Sequence, residues 1–189
     1  ATLLMVLKVD VEVIRTRDPQ KIATADFVYD VGGEEDTERN RFDHHQIGGA
    51  GKRENGVPYA SFGLVWRKYG AELSGSEEAA RIIDEKLVQA IDAGDNGMDT
   101  FTPMPNVSPY LIQGFLYSLR PTWLEAQDYD KAFMDAVLIA KIILRREIKW
   151  VSDVLAGESK VAHCYQEATD KRLIVLDQKY PWEEATIKY

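Results

Sequence analysis

The sequence predicts an α/β fold: a parallel sheet with flanking helices, followed by a small α+β extension at the C-terminal end. Three observations carry that expectation. Residues 9–15, VDVEVIR, alternate β-branched and charged side chains with the two-residue period of a strand. Residues 26–31, DFVYDV, are nearly all apolar, as in a strand buried on both faces inside a parallel sheet. Between them lie a turn, Thr16 to Pro19, and room for one short helix, which makes a compact strand–helix–strand unit.

Taken in order, residues 1–8 (ATLLMVLK) are apolar and rich in helix formers, and predict a helix. They lack the basic start and small-residue cleavage site of a signal peptide. Pro19 suits the first position of a helix over residues 19–23. Residues 46–58, QIGGAGKRENGVP, form a glycine-rich, charged surface loop. Ser61 is a candidate N-cap for a helix ending at Gly70. Ser76 opens a longer one, with Glu77 and Glu78 at its positive end and Ala80, Ile83, Leu87, Ala90 and Ile91 on one face. A proline-rich loop covers residues 101–109, and a short helix with an aromatic face covers residues 110–119. The longest helical pattern runs over residues 129–155. Residues 172–177 predict a final strand within the extension. The chain is thus expected in two parts, residues 1–125 and 126–189.

The totals bound the function. Of 189 residues, 45% are hydrophobic and 29% charged, as in an ordinary globular chain. The net charge is −8, from 31 acidic and 23 basic side chains. Overall charge therefore does not draw nucleic acid, and a phosphate-bearing substrate needs a metal or a few placed arginines. The single cysteine, Cys164, permits no internal disulfide and fits a reducing, cytoplasmic setting. No apolar run is long enough to span a membrane, so no membrane partner is expected.

The chemistry concentrates in residues 26–46, DFVYDVGGEEDTERNRFDHHQ. Asp30 ends the apolar run, and two glycines after it allow a sharp turn. Ligands of open α/β sheets bind beyond the carboxyl ends of strands. Asp43, His44 and His45 follow, with two of the protein's three histidines side by side. The helix opened by Ser76 delivers Asp92 and then Asp95-Asn96-Gly97. Carboxylate and imidazole together suit a borderline divalent ion such as Mn²⁺, Co²⁺ or Zn²⁺. Taken singly, these features are commonplace: a strand-end aspartate and an Asp-Asn-Gly are usually turns, and loop histidines are usually only solvated. The segment GGAGKR (residues 48–53) invites a phosphate-loop reading and fails it. Position 46 is Gln where a glycine is required, and Arg53 stands where Ser or Thr would bind magnesium. Lys141, Arg145, Arg146 and Lys149 form a basic helical stretch suited to a solvated face or to a substrate groove.

YDVGG, followed by RFDHHQ and then DAGDNG, resembles the DHH phosphoesterase superfamily. With IRTRDP added, the set is similar to the melanocyte-proliferating-gene type, metal-dependent hydrolases and 3′→5′ RNA exonucleases. The resemblance is clear over residues 13–97 and weaker through RPTW (residues 120–123) and PWEE (residues 181–184). It implies a DHH-type domain holding two divalent ions, with Mn²⁺ the first choice. It implies that Asp30 bridges them, that His44 is a ligand, and that Asp95 is a further ligand with Asp92 as the competing assignment. His45 is implied to face the substrate phosphoryl group, with Asp43 orienting the pair. Arg15 and Arg17 are implied phosphate contacts, with an ordinary salt bridge as the equal alternative for each.

The expected activity is phosphodiester hydrolysis on RNA or a short oligonucleotide. A small phosphate compound, or binding without catalysis, is the alternative, and an oligomer is compatible with either. The family's His- and Asp-rich first motif is absent from the sequence, and ATLLMVLK resembles the helix that follows it. Either the missing ligands lie upstream of Ala1, the favoured expectation, or this copy is inactive, and the chain as given is expected to bind two metals weakly or not at all.

Overall fold

In the computed structural model, residues 11–102 and 104–183 are described. The helix expected over residues 1–8 lies outside them. The fold is mixed α/β, about half helical, around a small three-stranded sheet. The chain enters as extended backbone, residues 11–18, with no ladder partner among the described residues. The strand expected at residues 9–15 is therefore not formed over its described part, because a strand needs a neighbour as well as a suitable period. Helix α1 follows as expected, Pro19–Thr24, with Asp18 capping the N–H of Gln20 at 2.9 Å and Pro19 in its first turn.

The three strands are β1 (Val28–Tyr29), β2 (Glu35–Asp36) and β3 (Arg41–Phe42), two residues each. The order is β1-β3-β2. β1 runs parallel to β3 and β2 antiparallel to it, so the sheet is mixed where a parallel one was expected. β3 is the central strand, and the apolar run of residues 26–31 supplies an outer strand of this ladder. Arg41 and Phe42 are both buried, and Phe42 is in the main core.

Helix α2, Ser61–Ser74, lays Leu64, Val65 and Trp66 into that core. The Trp66 indole donates to the carbonyl of Ala80 at 3.0 Å, which satisfies its buried N–H and fastens α2 to α3. The N-cap of α2 is Ala60 rather than Ser61. The Ser61 hydroxyl is used elsewhere, donating to the carbonyl of Phe42 at the end of β3. Ser76 does cap α3, Glu77–Ile83, accepting from the N–H of Ala79 at 3.1 Å.

A π-helical turn, Asp84–Val88, separates α3 from α4, Gln89–Asp95. The wider turn advances the buried face, so Val88, Asp92 and Ala93 are buried while Ala90 is exposed. Of the stripe read from the sequence, Ala90 thus falls off the buried face, while Leu87 and Ile91 are half-buried.

Helix α5 is shorter than expected, Ile112–Tyr117. Helix α6 is longer, Tyr129–Glu167, and absorbs residues that sequence reading gave to the extension. Its buried Val137, Leu144 and Val151 recur every seven residues, two turns apart, and Leu144 and Val151 join the core of α2 and α3. The strand expected at residues 172–177 is absent: Leu173 and Val175 are 63% and 75% exposed, and no ladder partner stands beside them among the described residues. Pro181 instead folds back on α6 at Gly157, where an added Cβ would lie 2.5 Å from the proline ring.

Candidate metal and phosphate site

The site begins where β1 ends. Asp30 adopts φ +64°, a left-handed conformation that aspartate tolerates better than most residues, and its N–H donates to the carbonyl of Phe42 at 3.2 Å. Gly32 and Gly33 continue the turn with φ +101° and +69°. The run Asp-Val-Gly-Gly thus turns the chain back at the edge of the sheet. Gly33 then donates its N–H to Asp43 Oδ2 at 2.6 Å, which ties this turn to the end of β3.

Asp43 is buried and accepts from four donors. They are the N–H groups of Gly33, His44 (2.8 Å) and His45 (3.2 Å), and His45 Nδ1 (2.6 Å). Burial alone would raise its pKa. The hydrogen bond from His45, followed by those from the three backbone groups, outweighs this and holds the carboxyl below its ordinary range. The same bond to Asp43 raises the pKa of His45. With Nδ1 committed as donor to Asp43, the His45 ring presents Nε2 outward from a side chain that is 61% exposed. Asp43 thus holds the ring through Nδ1.

His44 points the other way. Its side chain is 6% exposed, and Nε2 lies 3.5 Å from Asp30 Oδ1 and 3.3 Å from Asp95 Oδ2 with no hydrogen-bond partner among the described residues. Asp30, His44 and His45 each offer a donor atom within 4.8 Å of the others, as the ligands of one cation do. Burial, and then the Asp95 charge, raise the pKa of Asp30. Two carboxylates and a buried imidazole nitrogen that lacks a partner fit a divalent cation.

Asp92 and Asp95 share α4 but face different surroundings. Asp92 is fully buried, accepts from the N–H of Gly63 at 3.0 Å and lies 2.9 Å from Arg53 Nη2. Burial pushes its pKa up to about 6 against the opposing pull of Arg53. Asp95 is half exposed and is the acid beside His44. Of the two arginines, Arg15 pairs with Asp130 of α6 at 2.8 Å and covers the ring of Phe133. Arg17 lines a groove of about 590 Å³ together with Asp30, Gly32, Arg41, Asp43 and His45. Arg53, read from the sequence only as the residue that breaks a phosphate loop, is a buried ion-pair partner. The loop carrying it was weighed only as a phosphate loop, and its partners are Asp84 and Asp92 on a distant helix.

The whole chain, residues 1–189, matches the MYG1 exonuclease family model, described as an uncharacterised protein family (UPF0160). The chain belongs to that family. It is 30% identical to the MYG1 exonuclease of Bos taurus over 93% of its own length and 53% of the relative's. The corresponding figures for the MYG1 exonuclease of Homo sapiens are 30%, 93% and 54%. A MYG1 protein of Chlamydia trachomatis is 38% identical over 46% of this chain and 28% of its own. The chain therefore spans about half the length of the first two. No solved structure matches it. No helix among the described residues is long and apolar enough to cross a membrane.

Proposed function

We propose that this chain contributes to a metal-dependent phosphodiesterase of the DHH type, acting as a 3′→5′ exonuclease on RNA or short oligonucleotides. The observation that carries the reading is His44 Nε2, buried, with no hydrogen-bond partner among the described residues and within 3.5 Å of two carboxylates. Leaving such a nitrogen unpaired is costly unless a cation takes its lone pair. The relatives named MYG1 exonuclease add the nuclease class.

Asp30, His44 and Asp95 would hold divalent metal, with Mn²⁺ the preferred ion. Bound divalent ions would supply an activated water and positive charge against the phosphoryl oxygens. His45, held through Nδ1 by Asp43, offers Nε2 to the phosphoryl group and stabilises charge building there. Arg17, on the wall of the same groove, would pair with a neighbouring phosphate. Asp92 acts as a support for the helix end rather than as a ligand.

The net charge of −8 and a groove of about 590 Å³ favour a second reading, hydrolysis of a small phosphate compound. One assay separates the two. The full-length protein is incubated with Mn²⁺ and end-labelled RNA, single-stranded DNA or a generic phosphodiester, beside its Asp30→Ala variant. Stepwise shortening from the 3′ end, lost in Asp30→Ala, is the expected result. Turnover of the small ester alone would favour the second reading, and no Asp30-dependent turnover on any substrate would overturn both.

A further inference from the structure

The loop of residues 46–58 fails as a phosphate cradle, yet it inserts one arginine into the protein. The Arg53 side chain is 7% exposed and lies between two acids on the π-helical turn and α4. Its Nε donates to Asp84 Oδ2 at 2.9 Å and its Nη2 to Asp84 Oδ1 at 2.6 Å, while Nη2 also lies 2.9 Å from Asp92 Oδ2. The Tyr59 ring lies against the guanidinium, 4.2 Å from its centre. Asp92 also accepts from the N–H of Gly63 in the first turn of α2, at the positive end of that helix. No side chain fits at Gly63, because its Cβ would sit 1.8 Å from Asp92 Oδ2.

The same first turn of α2 holds the other half of the site. Ser61 donates to the carbonyl of Phe42, the residue before Asp43 and His44. One helix end therefore anchors β3, which delivers His44, and α4, which delivers Asp95. On the α4 side, the Asn96 side chain donates to the carbonyl of Asp92 at 2.8 Å, which ties Asp92 to the residue after Asp95.

We infer that Arg53 is a positioning residue: its guanidinium, gripping Asp84 and Asp92, fixes the end of α4 so that the Asp95 carboxylate meets His44. Lysine cannot replace it, because one ammonium on a flexible stem cannot span both acids as a planar fork does. The inference rests on the proposed cation site for its purpose, but not for its test.

The test uses the histidine ring nitrogens of the metal-free chain, which has only three histidines to resolve. In Arg53→Met and Arg53→Lys the His44 ¹⁵N signals are expected to shift while those of His163 stay in place. Asp92→Asn, which leaves the Arg53–Asp84 pair intact, is expected to shift them in the same sense and serves if the Arg53 variants do not fold. Arg67→Met, which removes another cation from the same Tyr59 ring, should leave them unchanged. Mn²⁺ affinity, read by calorimetry on folded protein, is expected to fall about tenfold in Arg53→Lys. Folded variants at Arg53 or Asp92 with wild-type His44 signals would overturn the inference and reduce Arg53 to a stabilising ion pair. Absence of Mn²⁺ binding in the unaltered chain would sink the metal reading alone, since the His44 signals report on Arg53 without metal.

Discussion

His44 Nε2 faces Asp95 Oδ2 at 3.3 Å with no hydrogen bond formed, although one residue follows β3 and the other ends α4. Asp30 completes the grouping from a third element, in a left-handed turn. Two carboxylates thus face one imidazole, and Asp95 adds to burial in raising the pKa of Asp30.

Asp95→Asn should accordingly separate stability from function. Removing one of two facing carboxylates is expected to leave the metal-free fold as stable or a few tenths of a kcal/mol more stable, a small effect because both acids are about half exposed and screened. Mn²⁺ affinity is expected to fall by about 100-fold. Urea denaturation with and without Mn²⁺ reads both quantities. A variant destabilised by more than about 1 kcal/mol without metal would place Asp95 among the residues that build the fold.

Calorimetry on the 189-residue chain should find one Mn²⁺ bound per chain. Among the described residues one donor grouping forms, and within it His45 Nδ1 is already spent on Asp43. Two tight sites of equal affinity would mean that donors outside this grouping contribute. His44→Ala is expected to abolish the binding, and His45→Ala to weaken it by less than about tenfold.

The Asp43–His45 pair predicts a pH signature. The folded pKa of Asp43 is lowered, so its contribution to stability is present above the unfolded aspartate value and is lost as pH falls through the folded one. The folded pKa of His45 is raised, so its contribution is full below the unfolded histidine value and is lost as pH rises through the folded one. The difference in unfolding free energy between wild type and Asp43→Asn should therefore peak at about pH 4–6.5, between the two unfolded values, and shrink on either side. At the peak it is expected to be about 2–4 kcal/mol, because four donors lose an ionised acceptor. Chemical denaturation from acid to mildly alkaline pH measures it, and a flat difference would show that the bond between His45 and Asp43 contributes nothing.

What could be read in the sequence was local. Pro19 starts α1, and Ser76 starts α3, because a proline and a cap act within one turn. The Asp30 turn was legible because two glycines follow a strand-end acid. The π-helical turn at Asp84–Val88 was not, since one additional residue per turn leaves no compositional mark, yet it decides that Val88 and Asp92 are buried and Ala90 is not. The run of residues 172–177 has strand composition and lacks only a neighbour, which composition cannot supply. Asp92 and Asp95 look alike in DAGDNG. They differ because Arg53, far off in sequence, reaches one and His44 reaches the other.

Gly63→Ala should be the most disruptive single methyl in the region. Its Cβ would fall 1.8 Å from Asp92 Oδ2 and 2.8 Å from Arg53 Nη2, so either the acid or α2 must move. A cost of about 1–3 kcal/mol is expected by urea denaturation. An unchanged midpoint would mean that Asp92 can leave its place freely.

Arg15 and Arg17, two residues apart, are expected to fail in opposite ways. Arg15 is engaged with Asp130 and Phe133, so Arg15→Ala should loosen the entry segment from α6. Its side chain is 43% exposed and that of Asp130 82%, which limits the loss to less than about 1 kcal/mol and leaves catalysis nearly intact. Arg17 faces the groove beside Asp30 and His45, so Arg17→Ala should leave the melting temperature unchanged and raise KM for an oligonucleotide about tenfold. Because a phosphate contact is weakened by salt, the wild type and Arg17→Ala should converge as ionic strength rises. Steady-state kinetics at two salt concentrations, beside a thermal melt, decide the matter. If Arg15→Ala carries the KM effect and Arg17→Ala the stability loss, the phosphate contact has been assigned to the wrong arginine.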